Sequence, residues 1–426
     1  MSGSGAEVGI SNPGWWGIEV KPQIYTGSFY VLGEYSGSFT AALRSAAGNV
    51  LASVKVPSQS IASKWVKHDF VLNPTQAAGV KNVFTLTYSG GATLDFNAIS
   101  LFPPTWNNRT NGLRIDLMQA LKDLNPTFLR WGGNNIEGGG YGRECKFFYS
   151  LGCFVTDVDT NVAGAWDKTI GDITQRPGRL GAWGYWNEDG LGLVEYLLWC
   201  KDLGMEPVLG VFAGLHLHNN NIIAEKDLQP FVVSAMNMLE FCMGDASTTY
   251  GQKRAALGYP EPFPITYIEI GNEDNLSGGM VSYQAYRFNA FYKPIIQKYP
   301  NAVVIASTTS FSKPPDNVAS DYHQYADANT LASQFDIFDR YSTQHQTLVG
   351  EYSMQRGTYP NWIGAVAEAI FQLGAEKNGD KVIGLSYAPL FMNTNNYHWT
   401  PDLIAFNADS NQTTLSTSYR QIKAST

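Results

Sequence analysis

Two glutamates close apolar, β-branched runs. The stretch Ile265-Thr-Tyr-Ile-Glu-Ile-Gly-Asn-Glu273 reads as a buried strand ending in Gly271, Asn272 and Glu273. Thr347-Leu-Val-Gly-Glu351-Tyr-Ser353 has the same form. A buried carboxylate is costly unless it has a partner, and the strand ends of a parallel barrel are where catalytic groups gather. Two carboxylates from different strand ends suit glycoside cleavage. One protonates the leaving oxygen, and the other attacks the anomeric carbon or activates water.

Other strand ends collect polar groups that a core would not choose. They are Asn134 and Asn135, Asn272, and the set Asp321-x-His323-x-Tyr325. Amides and aromatic rings beside two carboxylates are what a neutral sugar requires. Asn272 could hydrogen-bond a sugar hydroxyl near the reacting carbon, and Tyr325 could hold Glu351 ionised. A lone histidine is more often structural, but within that set at a strand end His323 reads as functional. Rival chemistries are thin. There is no Gly-x-Ser-x-Gly elbow, no phosphate-binding loop and no dinucleotide glycine fingerprint. His216-Leu-His218 has no acidic ligand at a standard metal spacing, so it reads as a loop and no metal is expected.

The elements that must position these residues form two patterns. Residues 7 to about 104 alternate polar and apolar in short runs separated by turn residues, which predicts an all-β sandwich or jelly roll. Trp15, Trp16 and Tyr25 could offer sugar rings a stacking face, although core filling is the favoured reading. Pro103-Pro104 reads as a boundary. From about 112 helical and strand patterns alternate. Strands are expected at 127–131, 207–213, 265–273, 302–308, 320–325, 348–351 and 382–388, with helices between them. Seven such runs predict a (β/α)8 TIM-type barrel one strand short. The expected domains are 1–104 (sandwich), 105–400 (barrel) and 401–426 (the start of a further β region).

Composition narrows the partners. The chain has 426 residues, a net charge of −8 and no basic run, which disfavours nucleic acid and anionic membranes. No apolar stretch approaches the roughly 18 residues of a membrane span. Met1-Ser-Gly-Ser-Gly does not read as a signal peptide. Sequons at Asn108, Asn275 and Asn411 point weakly to a secreted, extracellular glycoprotein. Cys145 and Cys153 could pair, whereas Cys200 and Cys242 read as buried thiols. The sequence carries no signal for oligomeric state.

With these residues set out, the chain resembles the fungal-type α-L-arabinofuranosidases of glycoside hydrolase family 51. The likeness runs from about 110 to 426. It is carried by Phe128-Leu-Arg-Trp-Gly-Gly-Asn-Asn-Ile-Glu-Gly138, Arg176-Pro-Gly-Arg-Leu-Gly181, Asp189-Gly-Leu-Gly192 and Tyr267-Ile-Glu-Ile-Gly-Asn-Glu-Asp274. Gly350-Glu-Tyr-Ser353, Ser386-Tyr-Ala-Pro-Leu390 and Trp399-Thr-Pro-Asp-Leu403 add to it. The region before 104 looks like the family's carbohydrate-binding-module-like insert. The resemblance implies a retaining double displacement, with Glu273 as acid/base on the fourth barrel strand and Glu351 as nucleophile on the seventh. The carboxyls should then lie roughly 5–5.5 Å apart. It implies that Asn134, Asn272, His323 and Tyr325 line an arabinofuranose pocket, with Asn393 a further candidate and no cofactor. The implied substrates are arabinoxylan, arabinan or arabino-oligosaccharides of the plant cell wall. The alternatives are a two-glutamate barrel xylanase or glucanase, or a carbohydrate-binding protein with impaired turnover. The family's first barrel strand and most of its C-terminal sandwich find no match here, so an incomplete barrel is expected.

Overall fold

The structure, a computed structural model, describes residues 7–130, 166–180, 186–216, 220–355, 360–396 and 400–425. The chain forms two compact units: Met1–Asp123 with Leu390–Tyr419, and Leu124–Pro389 with Arg420–Thr426.

The first unit is built on two antiparallel sheets. Strands β1 (Glu7–Asn12), β2 (Tyr25–Leu32), β3 (Ser38–Ser45), β4 (Val50–Pro57), β5 (Val66–Leu72), β6 (Asn82–Ser89) and β7 (Asp95–Phe102) pair in the orders β1-β6-β3-β4 and β5-β2-β7. Alternation drives the arrangement. Phe84, Leu86 and Tyr88 of β6 and Phe70 and Leu72 of β5 point inward and join Phe29, Phe39 and Leu43 in one core. Tyr25 belongs to that core at 1% exposure. Trp15 and Trp16 do not. They are 75% and 46% exposed, on a turn where Trp16 takes φ +58, which corrects the expectation that they fill the sandwich.

The units also cut the chain at places other than 104 and 400. The helix Ile115–Lys122 belongs with the sandwich unit, where Tyr419 donates to the Ala120 carbonyl (2.7 Å) and Thr413 to Asp116 (2.6 Å). The C-terminal stretch holds three short paired strands and then a helix, Thr417–Ser425.

The second unit contains the parallel sheet. Its strands are β8 (Phe128–Arg130), β9 (Glu206–Val211), β10 (Tyr267–Ile270), β11 (Val303–Ala306), β12 (Ala319–Ala326), β13 (Thr347–Met354) and β14 (Val382–Tyr387). Among the described residues the sheet has these seven strands, each beside its predecessor and every pair parallel. An order without reversal is that of a barrel rather than a doubly wound sheet. The ends curl together. A Cβ on Gly384 of β14 would lie 2.7 Å from the Phe128 ring of β8. Among the described residues this nearly closed sheet is a (β/α)8-type barrel one strand short, as expected from sequence.

The helices Leu193–Leu203, Gln229–Met243, Phe288–Lys298 and Trp362–Glu376 fall between successive strands. Cys200 and Cys242, on the first two of them, are buried free thiols, whereas Cys145 and Cys153 lie outside the described residues. Inside the barrel, Val208, Ile305, Ala319 and Leu348 pack with Phe128, Tyr267, Val303 and Ile383. They form an apolar layer beneath the C-terminal strand ends.

Candidate active site

One step up the strands from that layer the barrel interior becomes charged. Side chains two apart on a strand share a face. Phe128 is therefore followed inward by Arg130, Tyr267 by Glu269, and Ala319 by Asp321, His323 and Tyr325. On β9 the residue in register with Glu269 is Gly210, which adds no side chain to the layer.

Two local distortions bring the paired glutamates into this layer. Simple alternation would put Leu348 and Glu351 on opposite faces of β13. The register instead slips by one, with Asp321 opposite Leu348 but His323 opposite Glu351. This β-bulge turns Glu351 inward without removing Leu348 from the core. Gly350 makes the bulge possible. Its N–H donates to Asp321 Oδ1 (2.7 Å), and a Cβ there would lie 2.3 Å from that oxygen. After β10 the chain breaks at Gly271, at φ +90, where a Cβ would fall 1.8 Å from Asp274 Oδ2. Glu273 follows in the left-handed region at φ +50. That conformation costs a non-glycine residue about 1 kcal/mol or more and turns up where function requires it.

The charged groups form one connected network. Arg130 donates from Nε and Nη2 to the two oxygens of Glu269 (2.7 and 2.8 Å). Nη2 also donates to Asn272 Oδ1 (2.9 Å), and Nη1 to Glu351 Oε1 (2.9 Å). His323 contacts Asp321 through Nε2 (2.6 Å) and Glu273 through Nδ1 (3.0 Å), and Nδ1 is 3.6 Å from Glu351. Tyr325 donates to Glu351 Oε2 (2.6 Å). One carboxylate oxygen from each of Glu273 and Glu351, together with a ring nitrogen of His323, lie within 4.8 Å of one another.

Burial and charge divide the protons unevenly. Burial opposes the charge on Arg130, but Glu269, Asp321 and Glu351 raise its pKa well above the ordinary value. Burial likewise opposes His323, and Asp321 and Glu351 more than offset it, so the imidazolium persists well above its usual range and donates from both nitrogens. Burial pushes Asp321 and Glu351 up. The charges of His323 and Arg130 reverse this in both, so both sit below the usual carboxylate range. For Glu351 the Tyr325 hydroxyl helps. Glu269 goes the other way. Its burial and the adjacent Asp321 charge outweigh Arg130 and raise it.

A second buried pair supports the loop that carries Glu273. Asp274 bonds Arg287, accepts from the Asn272 N–H (3.1 Å) and accepts from Ser307 Oγ (2.8 Å). Arg287 also donates to the carbonyls of Ala213 (2.9 Å) and Gly279 (2.8 Å). The loop is thereby tied to the ends of both neighbouring strands.

Of the residues expected from sequence, Glu273, Glu351, Asn272, His323 and Tyr325 converge. Asn134 lies outside the described residues. Asn393 belongs to the sandwich unit, where its Oδ1 accepts from the Asn395 backbone (3.0 Å). Sequence reading missed Arg130, Glu269 and the pairing of Asp321 with His323. A signal was present for Glu269, because a glutamate sharing strand parity with Tyr267 must face the barrel interior. Glu269, Asp321 and His323 have metal-ligand chemistry, but Arg130 already places its cation among them, bonded to Glu269 and 3.3 Å from Asp321.

Comparison with known proteins agrees with this geometry. Residues 120–343 match the family model described as alpha-L-arabinofuranosidase 1 domain. A probable alpha-L-arabinofuranosidase A of Aspergillus terreus is 40% identical over 97% of this chain, and the alpha-L-arabinofuranosidase A of Aspergillus niger is 39% identical over the same share. In both cases the chain spans 64% of the relative's length. An arabinose-bound MgGH51 α-L-arabinofuranosidase structure superposes with a TM-score of 0.86 at 34% identity, covering 99% of this chain and 68% of its own. The α-L-arabinofuranosidase of Thermotoga maritima shares the fold at 19% identity, with a TM-score of 0.56 over 74% of this chain and 63% of its own. The barrel, the strand-end glutamates and these matches agree: the chain belongs to the glycoside hydrolase family 51 α-L-arabinofuranosidases.

Proposed function

We propose that the barrel unit carries a retaining, exo-acting α-L-arabinofuranosidase site, with Glu351 as nucleophile and Glu273 as acid/base. The observation that carries the reading is the asymmetry between two carboxylates that approach within 4.8 Å. Glu351 accepts hydrogen bonds from Tyr325 and Arg130 and is held ionised, as a nucleophile must be. Among the described residues the Glu273 carboxylate has one hydrogen-bond partner, His323 Nδ1 at 3.0 Å, against the two that hold Glu351. The separation suits a retaining enzyme, because an inverting pair stands roughly 6.5–9.5 Å apart to admit water.

In the first step protonated Glu273 gives its proton to the leaving glycosidic oxygen, while a Glu351 oxygen bonds to the anomeric carbon and the C–O bond breaks. In the second, Glu273 takes a proton from water, whose oxygen displaces Glu351. Arabinose leaves, and both carboxyls return to their starting states. Asn272, fixed at its amide oxygen by Arg130, offers the sugar its Nδ2 donor. The substrates in this reading are terminal arabinofuranosyl groups on plant arabinoxylan or arabinan. The protein is secreted in this reading, with Asn108, Asn275 and Asn411 all exposed as glycosylation requires.

The test is Glu351→Ala, assayed on an aryl α-L-arabinofuranoside. Turnover should fall by at least ~10³-fold, as expected for loss of a nucleophile. Unchanged turnover overturns the assignment.

A further inference from the structure

We propose that Glu269 is a positioning residue: its two-oxygen clamp on Arg130 aims the remaining guanidinium donors at Glu351 and at the amide oxygen of Asn272. The inference rests on the reading of Glu351 as nucleophile.

Glu269 is fully buried at the base of the site and the Arg130 side chain is 4% exposed, so Glu269 acts through the arginine. A guanidinium is planar and its donors are fixed relative to one another. A single hydrogen bond would leave that plane free to swing, whereas two parallel bonds to one carboxylate fix both its tilt and its rotation. With Nε and Nη2 held at 2.7 and 2.8 Å, Nη1 lies 2.9 Å from Glu351 Oε1 and Nη2 lies 2.9 Å from Asn272 Oδ1. Without the clamp, Arg130 would be drawn between Glu351, Asn272 and Asp321, the last already 3.3 Å away. Which way the Asn272 amide is turned is fixed by the donor that meets its oxygen. Arg130 is that donor, so the clamp also decides which end of the amide meets the sugar.

The reach explains why the residue is glutamate. Arg130 and Glu269 stand on strands separated by β9, a gap of roughly 9–10 Å at the usual strand spacing. Gly210, in register with Glu269, puts no side chain at that end of the gap, and Val208 stands in register with Arg130. Aspartate keeps the charge but falls one methylene short of the two-oxygen contact. Glutamine keeps the reach but replaces one acceptor with a donor facing another donor. If neutralising Arg130 were the whole role of Glu269, aspartate would serve.

The experiment measures kcat, KM and thermal unfolding of wild type, Glu269→Asp, Glu269→Gln and Asn272→Ala, with the double variants, on an aryl α-L-arabinofuranoside. Both Glu269 variants should unfold cooperatively and lose kcat/KM by on the order of 10²-fold, the scale of a small misplacement at a reacting centre. Most of the loss should fall in kcat. The Glu269→Asp and Asn272→Ala losses should combine to much less than their product, because both act on one amide. Glu269→Asp activity within about 2-fold of wild type, or losses that multiply, overturns the proposal. If neither variant folds, Glu269 is a structural ion-pair partner, and the proposal falls too. Failure of the underlying reading looks different: Glu351→Ala would then keep wild-type turnover whatever Glu269 does.

Discussion

Tyr325 donates its hydroxyl proton to Glu351 across 2.6 Å, from a strand that pairs directly with the one bearing Glu351. Burial, then the Glu351 charge, raise the phenol far above its ordinary pKa, so it remains a donor at every working pH. In return it helps hold Glu351 ionised against burial. The bulge at Gly350 makes this contact possible, because it turns Glu351 to the face that Tyr325 already occupies.

Tyr325→Phe should therefore move the acid limb of the kcat/KM profile upward. The native Glu351 pKa lies below the usual carboxylate range, so activity should persist to low pH and fall as Glu351 takes up its proton. Removing one bond to a charged acceptor is worth about 1.5–3 kcal/mol, or about one to two pH units. His323 and Arg130 remain, so a shift of ~1 unit is expected. A pH–rate profile with an unmoved acid limb would show that Tyr325 does not govern the ionisation of Glu351.

Much of this was legible in sequence because burial writes itself into patterns. Seven apolar runs gave seven parallel strands, and Asn272, Glu273, His323, Tyr325 and Glu351, which close three of them, met at one end of the barrel. What failed to show was pairing across the chain. Arg130 and Glu269 are 139 positions apart, and nothing local to either names the other. Alternation also misleads at β13, where it sets Leu348 and Glu351 on opposite faces. Only the close approach of Asp321 to Gly350 reveals the bulge. Trp15 and Trp16 illustrate the limit of hydrophobicity as a guide. Large aromatics are expected inside, yet a turn with Trp16 at φ +58 carries both outward.

The Asp274–Arg287 pair makes the Glu273 loop sensitive to a change outside the reacting groups. Both side chains are essentially without solvent contact. Arg287→Met would leave Asp274 charged and buried without its cation, at a cost of about 3–5 kcal/mol. The carbonyls of Ala213 and Gly279 would lose their donor as well. Denaturant unfolding should show that loss in the single variant. Asp274→Leu combined with Arg287→Met should be less destabilised than the sum of the two single changes. Strict additivity would mean that the ion pair contributes nothing as a pair.

Asp402, in the sandwich unit, should give stability a pH dependence of its own. It is 6% exposed, and its Oδ2 accepts no hydrogen bond from any described residue. Burial alone pushes its pKa up to about 7. An acid whose folded pKa is raised adds stability that is fully present below the unfolded value, about 3.9, and is lost as pH rises through the folded one. The folded state holds the proton longer than the unfolded chain, so stability should decline between about pH 4 and 7 on account of this group. Asp402→Asn has no proton to lose. Relative to wild type the variant should gain stability from pH 5 to about 7 and then level off, whatever its offset at pH 5. The measurement is the unfolding midpoint of both proteins at matched pH values. A difference that stays constant across that range would mean that Asp402 titrates near its ordinary value, with water or another group reaching its carboxylate.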